Sequence, residues 1–202
     1  TNIFEKMNKI VAHDSVADVT EETFASVDIA GYNYMNSRYE LDKKLYPDRV
    51  ICGSENFPPN IDTNWKLVKR NSHVIGDFTW TGWDYIGESG VGKIEYNQDQ
   101  NDNRQGMNAP YPWYLAYCGD IDIIGNRRPA SYYREIVWGL RKEPYIAVQR
   151  PEHYGEKGNS NPWSWSDSIS SWTWPSFEEK PIKVEVYSEA EEVELLLNGE
   201  SL

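Results

Sequence analysis

Three short apolar runs, separated by helix-like segments, limit the possible folds of this chain more than any other feature. Val27–Tyr34 (VDIAGYNY), Arg49–Ser54 (RVICGS) and His73–Trp80 (HVIGDFTW) read as strands, with Gly31 marking a close backbone approach. Between them Ser37–Leu45 reads as a helix stopped by Pro47. A second helix carries Trp65, Leu67 and Val68, with Asp62 as its N-cap. Strand, helix, strand, helix, strand at these spacings predicts right-handed βαβ units in a parallel sheet, an α/β fold. The strands are apolar on both faces, as a sheet covered by helices requires. Each ends in polar or aromatic residues: Asn33-Tyr34, Ser54-Glu55-Asn56 and Trp80-Thr81. A (β/α)8 barrel gathers its chemistry at the C-terminal ends of several strands in this way. A partial barrel is therefore favoured over an open doubly wound sheet.

The flanks read differently. Ile3, Phe4, Met7, Ile10 and Val11 recur at helical spacing and predict a helix ending near His13, followed by a polar stretch from Asp14 to Asp28. A long Gly- and Asn-rich stretch runs from Asp84 to Pro129, and a structureless loop of that length in a compact domain is expected to be functional. Pro129 suits the first turn of a helix through Leu140. Beyond Pro144 the pattern turns to β. Tyr145–Val148 is extended, Asn161–Pro175 is rich in Trp and Ser, and Lys183–Tyr187 and Val193–Leu197 alternate apolar with polar residues. Asn198-Gly199 signals a type I′ hairpin. The expected division is residues 1–144 as the C-terminal portion of a barrel, 145–181 as a Trp- and Ser-rich linker, and 182–202 as the start of an Ig-like β-sandwich. The chain opens inside a helix and closes on a strand, so it reads as a piece of a longer protein. Its beginning then carries no targeting information, and the compartment stays open between cytoplasm and periplasm or secretion.

With 20 basic against 32 acidic residues the net charge is −12, which argues against nucleic-acid and anionic-membrane partners. Nine Trp and 14 Tyr fit a large core, and they also fit carbohydrate recognition, where flat rings meet the apolar face of a pyranose. Cys52 and Cys118 make no disulfide framework and are expected as buried free thiols. His13, His73 and His153 lack metal-ligand spacing and are expected in surface or capping roles. Gly87–Gly92 opens no helix and has no Lys-Ser/Thr partner, so it reads as a flexible loop. Asp99 and Asp102 lack the EF-hand pattern and read as solvated loop. Trp163, Trp165, Trp172 and Trp174 either line a sugar subsite or pin their segment onto the neighbouring domains, the second being favoured.

Alone, Glu55 is only a carboxylate at a strand end. Three ordered segments give it a context: GYNY (31–34), RVICGSEN (49–56) and GDFTWTGWDYIGE (76–88). Together they resemble the last three barrel strands of glycoside hydrolase family 2, and the third resembles its bacterial β-galactosidase branch. The resemblance covers roughly residues 1–140, and the remainder is similar to the Ig-like module that follows the barrel there. It implies a retaining β-glycosidase acting on terminal β-galactosides, with β-glucuronides and β-mannosides as alternatives. Glu55 would be the nucleophile, Tyr34 (or Asn33) would hydrogen-bond the nucleophile or its sugar, and Trp80 would form the floor of the sugar site. Asp84 would make a structural hydrogen bond. No cofactor and no metal are implied, and the partner is the carbohydrate substrate. The family's acid/base is a Glu preceded by Asn, and no Asn-Glu pair occurs in these 202 residues. The acid is thus expected outside the chain, and the isolated segment is expected to be inactive. It is also expected to self-associate through the open edge of its first strand. The competing readings are a non-catalytic carbohydrate-binding module and a structural barrel segment whose Ig-like tail mediates assembly.

Overall fold

The computed structural model describes residues 3–96 and 109–202. Asp99 and Asp102, weighed above as cation ligands, lie outside the described residues. In chain order the first part contains α1 (Ile3–Val11), α2 (Asp14–Ala25), β1 (Ala30–Asn33), α3 (Tyr39–Leu45), β2 (Ile51–Asn56), α4 (Ile61–Arg70) and β3 (Val74–Thr79). The three strands are parallel, in the order β1-β2-β3.

Several boundaries differ from the sequence reading. Helix α2 occupies the stretch expected to be merely polar. Its start is fixed by His13, whose ring nitrogen accepts the Ser15 N–H. Its apolar periodicity is faint because Ala17 is its one buried residue. Strand β1 is shorter than expected, and Val27 and Ile29 before it are exposed. Strand β2 runs further than expected, so Glu55 lies within the strand and not beyond it. Asn60, not Asp62, stands at the α4 N-cap position, and Asp62 in the first turn pairs with Lys66 at 2.8 Å.

One face of the sheet is covered. Ala30, Tyr32, Ile51 and Val74 point into a core with Tyr39 of α3, and Phe24, Leu67 and Val68 pack against it from α2 and α4. Gly31, Asn33, Ser54, Ile75 and Phe78 are exposed. Among the described residues helices cover one face of the sheet, and large apolar residues, Ile75 and Phe78, stand exposed on its strands. Close packing on the covered face requires Gly53, where a Cβ would stand 2.3 Å from the Tyr39 hydroxyl.

A buried ionic cluster ties these layers together. The Arg38 guanidinium donates to both carboxylate oxygens of Asp42, at 2.5 and 3.0 Å, and to the carbonyls of Val11 and His13 at 2.9 and 3.2 Å. Tyr32 donates its hydroxyl to Asp42 at 2.5 Å and accepts from Arg49 at 3.0 Å. His73, expected at the surface or as a cap, is buried instead. Its Nε2 donates to the Tyr39 carbonyl at 2.7 Å.

After β3 the described residues make no regular element until α5 (Pro129–Val137). Segments 81–91 and 115–121 dock on each other through backbone hydrogen bonds, among them Asp84 N–H to Ile121 O and Ala116 N–H to Tyr85 O. At their contact a Cβ on Gly119 would lie 2.5 Å from the Asp84 nitrogen and 2.6 Å from the Ile121 oxygen.

Past α5, β4 (Tyr145–Gln149) is the centre of an antiparallel sheet, flanked by β5 (Ser168–Ile169) and β6 (Val184–Tyr187). This one sheet spans the expected junction at residue 181, because the start of the supposed linker pairs with the strand after it. Trp165 fastens the same region, its indole N–H donating to Tyr187 at 3.0 Å. Finally β7 (Leu196–Leu197) and β8 (Glu200–Ser201) form a hairpin about Asn198 and Gly199, both at positive φ.

Replacing Arg38 by Met should lower stability by about 3–5 kcal/mol, because Asp42 keeps its burial and loses its main partner. A shift in the urea midpoint at unchanged slope is the check. Gly119→Ala should cost about 1–3 kcal/mol, since the added methyl meets backbone on two sides. Thermal unfolding of that variant beside the parent measures it.

Candidate active site

Glu55 is placed by an irregularity in the sheet. The β1–β2 register pairs Ala30 with Ile51, Gly31 with Cys52 and Tyr32 with Gly53, then skips Ser54 and sets Asn33 opposite Glu55. The extra residue acts as a bulge, which re-aims side chains near a strand end. As a result Ser54 and Glu55 both reach Asn33. The Ser54 hydroxyl donates to Asn33 Oδ1 at 2.7 Å, and Asn33 Nδ2 donates to Glu55 Oε2 at 3.2 Å. The Asn33 amide is thereby oriented from both ends.

Tyr34 follows with φ at 55°, a left-handed conformation that costs a non-glycine residue about 1–3 kcal/mol and persists only where the surroundings over-determine it. Those surroundings are visible. Its N–H donates to the Glu55 carbonyl at 2.7 Å, and its ring lies 4.1 Å from that of Phe57 and edge-on to Trp163 at 5.9 Å. Trp163 donates its indole N–H to the Tyr34 hydroxyl at 2.9 Å. An indole can only donate, so the Tyr34 oxygen accepts there and its own proton is left for the Glu55 carboxylate. Burial pushes the Tyr34 hydroxyl far up, and the hydrogen bond to Glu55 adds to the shift. Tyr34 is therefore a neutral donor at any physiological pH.

Trp80 joins from β3. Its N–H donates to the carbonyl of Asn56, the residue after Glu55, at 2.8 Å, and the Trp80–Thr81 peptide is cis. The indole donates to the Tyr85 hydroxyl at 3.0 Å, and that hydroxyl in turn donates to Glu88. Trp80, Tyr85 and Trp163 pack together on a buried cluster of Val91, Ala116 and Cys118. Burial pushes the Cys118 thiol up to about 12, so it stays protonated. Cys52 is only half-buried and also free.

Below Glu55, Asn56 is itself anchored. Its side-chain amide donates to Asp77 at 2.6 Å, and Asn64 donates to the same oxygen at 3.2 Å. Burial pushes the Asp77 carboxyl up, against the pull of Arg134 and of these two amides.

The structure thus brings Asn33, Tyr34 and Glu55 into direct contact and ties Trp80 to them through Asn56 and Trp163. Asp84 stands apart. It is buried, one carboxylate oxygen accepts the Gly119 N–H at 2.7 Å, and the other is paired with Arg128. Burial pushes its carboxyl up, while Arg128 and the Gly119 N–H pull it down. The sequence reading missed Phe57, and although it favoured Trp163 as a pin between neighbouring domains it did not name Tyr34 as its partner. Phe57 sits two residues beyond Glu55, where an aromatic after a strand end was a readable signal. Trp163 lies 129 positions from its partner Tyr34, a separation that no local pattern bridges.

Comparison with known proteins finds relatives over most of this chain. A family model described as a domain of unknown function, DUF4982, matches residues 179–202. A crystal structure of a glycosyl hydrolase family 2 member from Bacteroides cellulosilyticus is 40% identical over 92% of this chain, with a TM-score of 0.75. A second, from B. cellulosilyticus DSM 14838, is 38% identical over 92%, with a TM-score of 0.67. Among curated proteins, the beta-galactosidase BoGH2A of Bacteroides ovatus is 25% identical over 140 residues. A Formosa agariphila protein named "Putative beta-glucuronidase" is 27% identical over 139 residues. The chain spans about a tenth of these curated relatives, 10% and 11%, and 23% and 21% of the two solved chains. By sequence and by fold, this chain is similar over most of its length to a segment of these glycosyl hydrolase family 2 structures.

Proposed function

We propose that these residues form part of the active site of a retaining β-glycosidase, most simply one acting on terminal β-galactosides. The observation that carries this reading is the contact of Glu55 with Asn33 and Tyr34 at the C-terminal ends of parallel strands. In this reading Glu55 attacks the anomeric carbon while the bond to the leaving oxygen breaks. A carboxylic acid protonates that oxygen, and water later hydrolyses the glycosyl ester. Asn33 and Tyr34 hold the carboxylate in one orientation, and their hydrogen bonds persist as its charge is consumed. Trp80 offers a flat face to the sugar. The acid is assigned to a carboxylate outside these 202 residues, because retention needs a second carboxyl about 5–5.5 Å from the first. The Asn-Glu pair that the resemblance implies for the acid does not occur in these residues.

The fold supports a barrel setting for this chemistry. Parallel strands in the order β1-β2-β3, with α2, α3 and α4 packed on them and the polar groups at their C-terminal ends, fit such a barrel. Residues 1–144 are accordingly assigned to the C-terminal part of a (β/α)8 barrel. The antiparallel strands beyond Tyr145 are assigned to the approach and start of an Ig-like sandwich.

In the complete enzyme, Glu55→Gln should lower turnover of a nitrophenyl β-galactoside by about 10³-fold or more. Azide should restore part of it as the glycosyl azide. Near-full activity in that variant would sink the assignment. Tyr34→Phe keeps the ring stack and removes the donor to Glu55, so kcat should fall about 10- to 100-fold with KM little changed. Steady-state kinetics on the same substrate separate the two constants.

A further inference from the structure

A cavity of about 430 Å³ opens between the 92–96 and 113–119 segments, the start of α5, and the 150–153 and 165–167 segments. None of Asn33, Tyr34, Glu55 or Trp80 lines it. Its size falls within the ~300–1,000 Å³ of small-molecule sites; Pro58 and Cys118 border it on the side toward Glu55 and Trp80, and its other walls come from stretches the chemistry at Glu55 does not use. Trp113, Tyr117 and Trp165 contribute aromatic surface. Trp113 is held in place, with the Tyr117 ring edge-on at 6.0 Å and the Lys93 ammonium 4.3 Å from its centroid.

The charges select the ligand class. Lys93, Arg128 and Arg150 all line the cavity, which at first suggests an anion. Each, however, already has a carboxylate within the chain: Glu95 at 4.0 Å, Asp84, and Asp167 at 3.1 Å. An arriving anion would meet compensated cations and the exposed carboxylate of Glu152, so no net attraction would offset its desolvation. What the cavity does offer is a fixed Arg150–Asp167 pair, a donor beside an acceptor, in one lining with the rings of Trp113, Tyr117 and Trp165, of which Trp113 carries Lys93 and Tyr117 carries Arg128 over one face. Adjacent hydroxyls on a pyranose are each donor and acceptor, and the opposite face of the ring is a patch of C–H bonds. We propose that this cavity binds an uncharged mono- or disaccharide, apart from Glu55 and without cleaving it. The aromatic excess noted in the sequence would then serve a second saccharide site.

The test is titration calorimetry on the full chain carrying Glu55→Gln, with methyl β-galactoside, methyl β-glucoside, lactose and methyl β-glucuronide. Saturable binding of an uncharged sugar is expected, weakened about 10-fold or more by Trp113→Leu, which fills space without a flat face. Glu152→Arg alters only an exposed residue at the cavity and should weaken it comparably, so the result stands even if the Trp113 variant fails to fold. Trp80→Ala should leave this binding in place. Binding indifferent to both cavity substitutions, or no binding of any uncharged sugar, overturns the proposal. Tighter binding of the glucuronide overturns the uncharged class. Loss of the Glu55 assignment in the turnover assay would leave these outcomes unaffected, so the two readings fail separately.

Discussion

The burial of one guanidinium organises the first half of this molecule. Arg38 is almost fully enclosed, and an enclosed charge is tolerable only with its hydrogen bonds met. It meets them from three directions: the end of α1, the cap of α2, and Asp42 on α3. Tyr32, in the middle of β1, completes the Asp42 carboxylate. The strand whose end carries Asn33 and Tyr34 is thus fixed in depth and rotation by a charge that has nowhere else to go. Packing alone would leave β1 free to slide, being only four residues long.

How much of this could be read in advance follows from the range of each interaction. The alternation of apolar runs with helical spacing announced the parallel sheet, because period and length are local properties. Glu55, Tyr34 and Trp80 were singled out through the motifs around them, and the fold brings Glu55 and Tyr34 into contact. Helix α2 was not singled out, since its polar sequence hides a start set by a single histidine cap. Sheet pairing between Tyr145–Val148 and Val184–Tyr187 was invisible for another reason. Strand partners are chosen by complementarity across the fold, and the Trp-rich stretch between them looks like a connector.

That stretch couples the two halves of the chain. Trp163 touches Tyr34 and Phe57 on one side and the cluster below Trp80 on the other, while Trp165, two residues on, is bonded to Tyr187 in the antiparallel sheet. Two neighbouring indoles therefore fasten a β-rich region to the rim of the parallel sheet. Rigidity at Tyr34 is borrowed from residues more than a hundred positions away, which lets a backbone conformation disfavoured in isolation persist at that point.

The skipped residue at Ser54 has a further bearing on how such a site can vary over time. In a regular ladder, side chains are interchangeable as long as spacing is kept, so divergence proceeds by substitution. Here Asn33 meets both Ser54 and Glu55 only because one strand is a residue longer than its neighbour across the same span. Chain length, more than side-chain identity, becomes the inherited quantity. Ser54 can drift among small polar residues with modest effect, whereas losing that position would restore a tidier sheet and carry Glu55 out of reach of Asn33. Lineages that keep this geometry should tolerate changes of letter between residues 53 and 56 far better than changes of number.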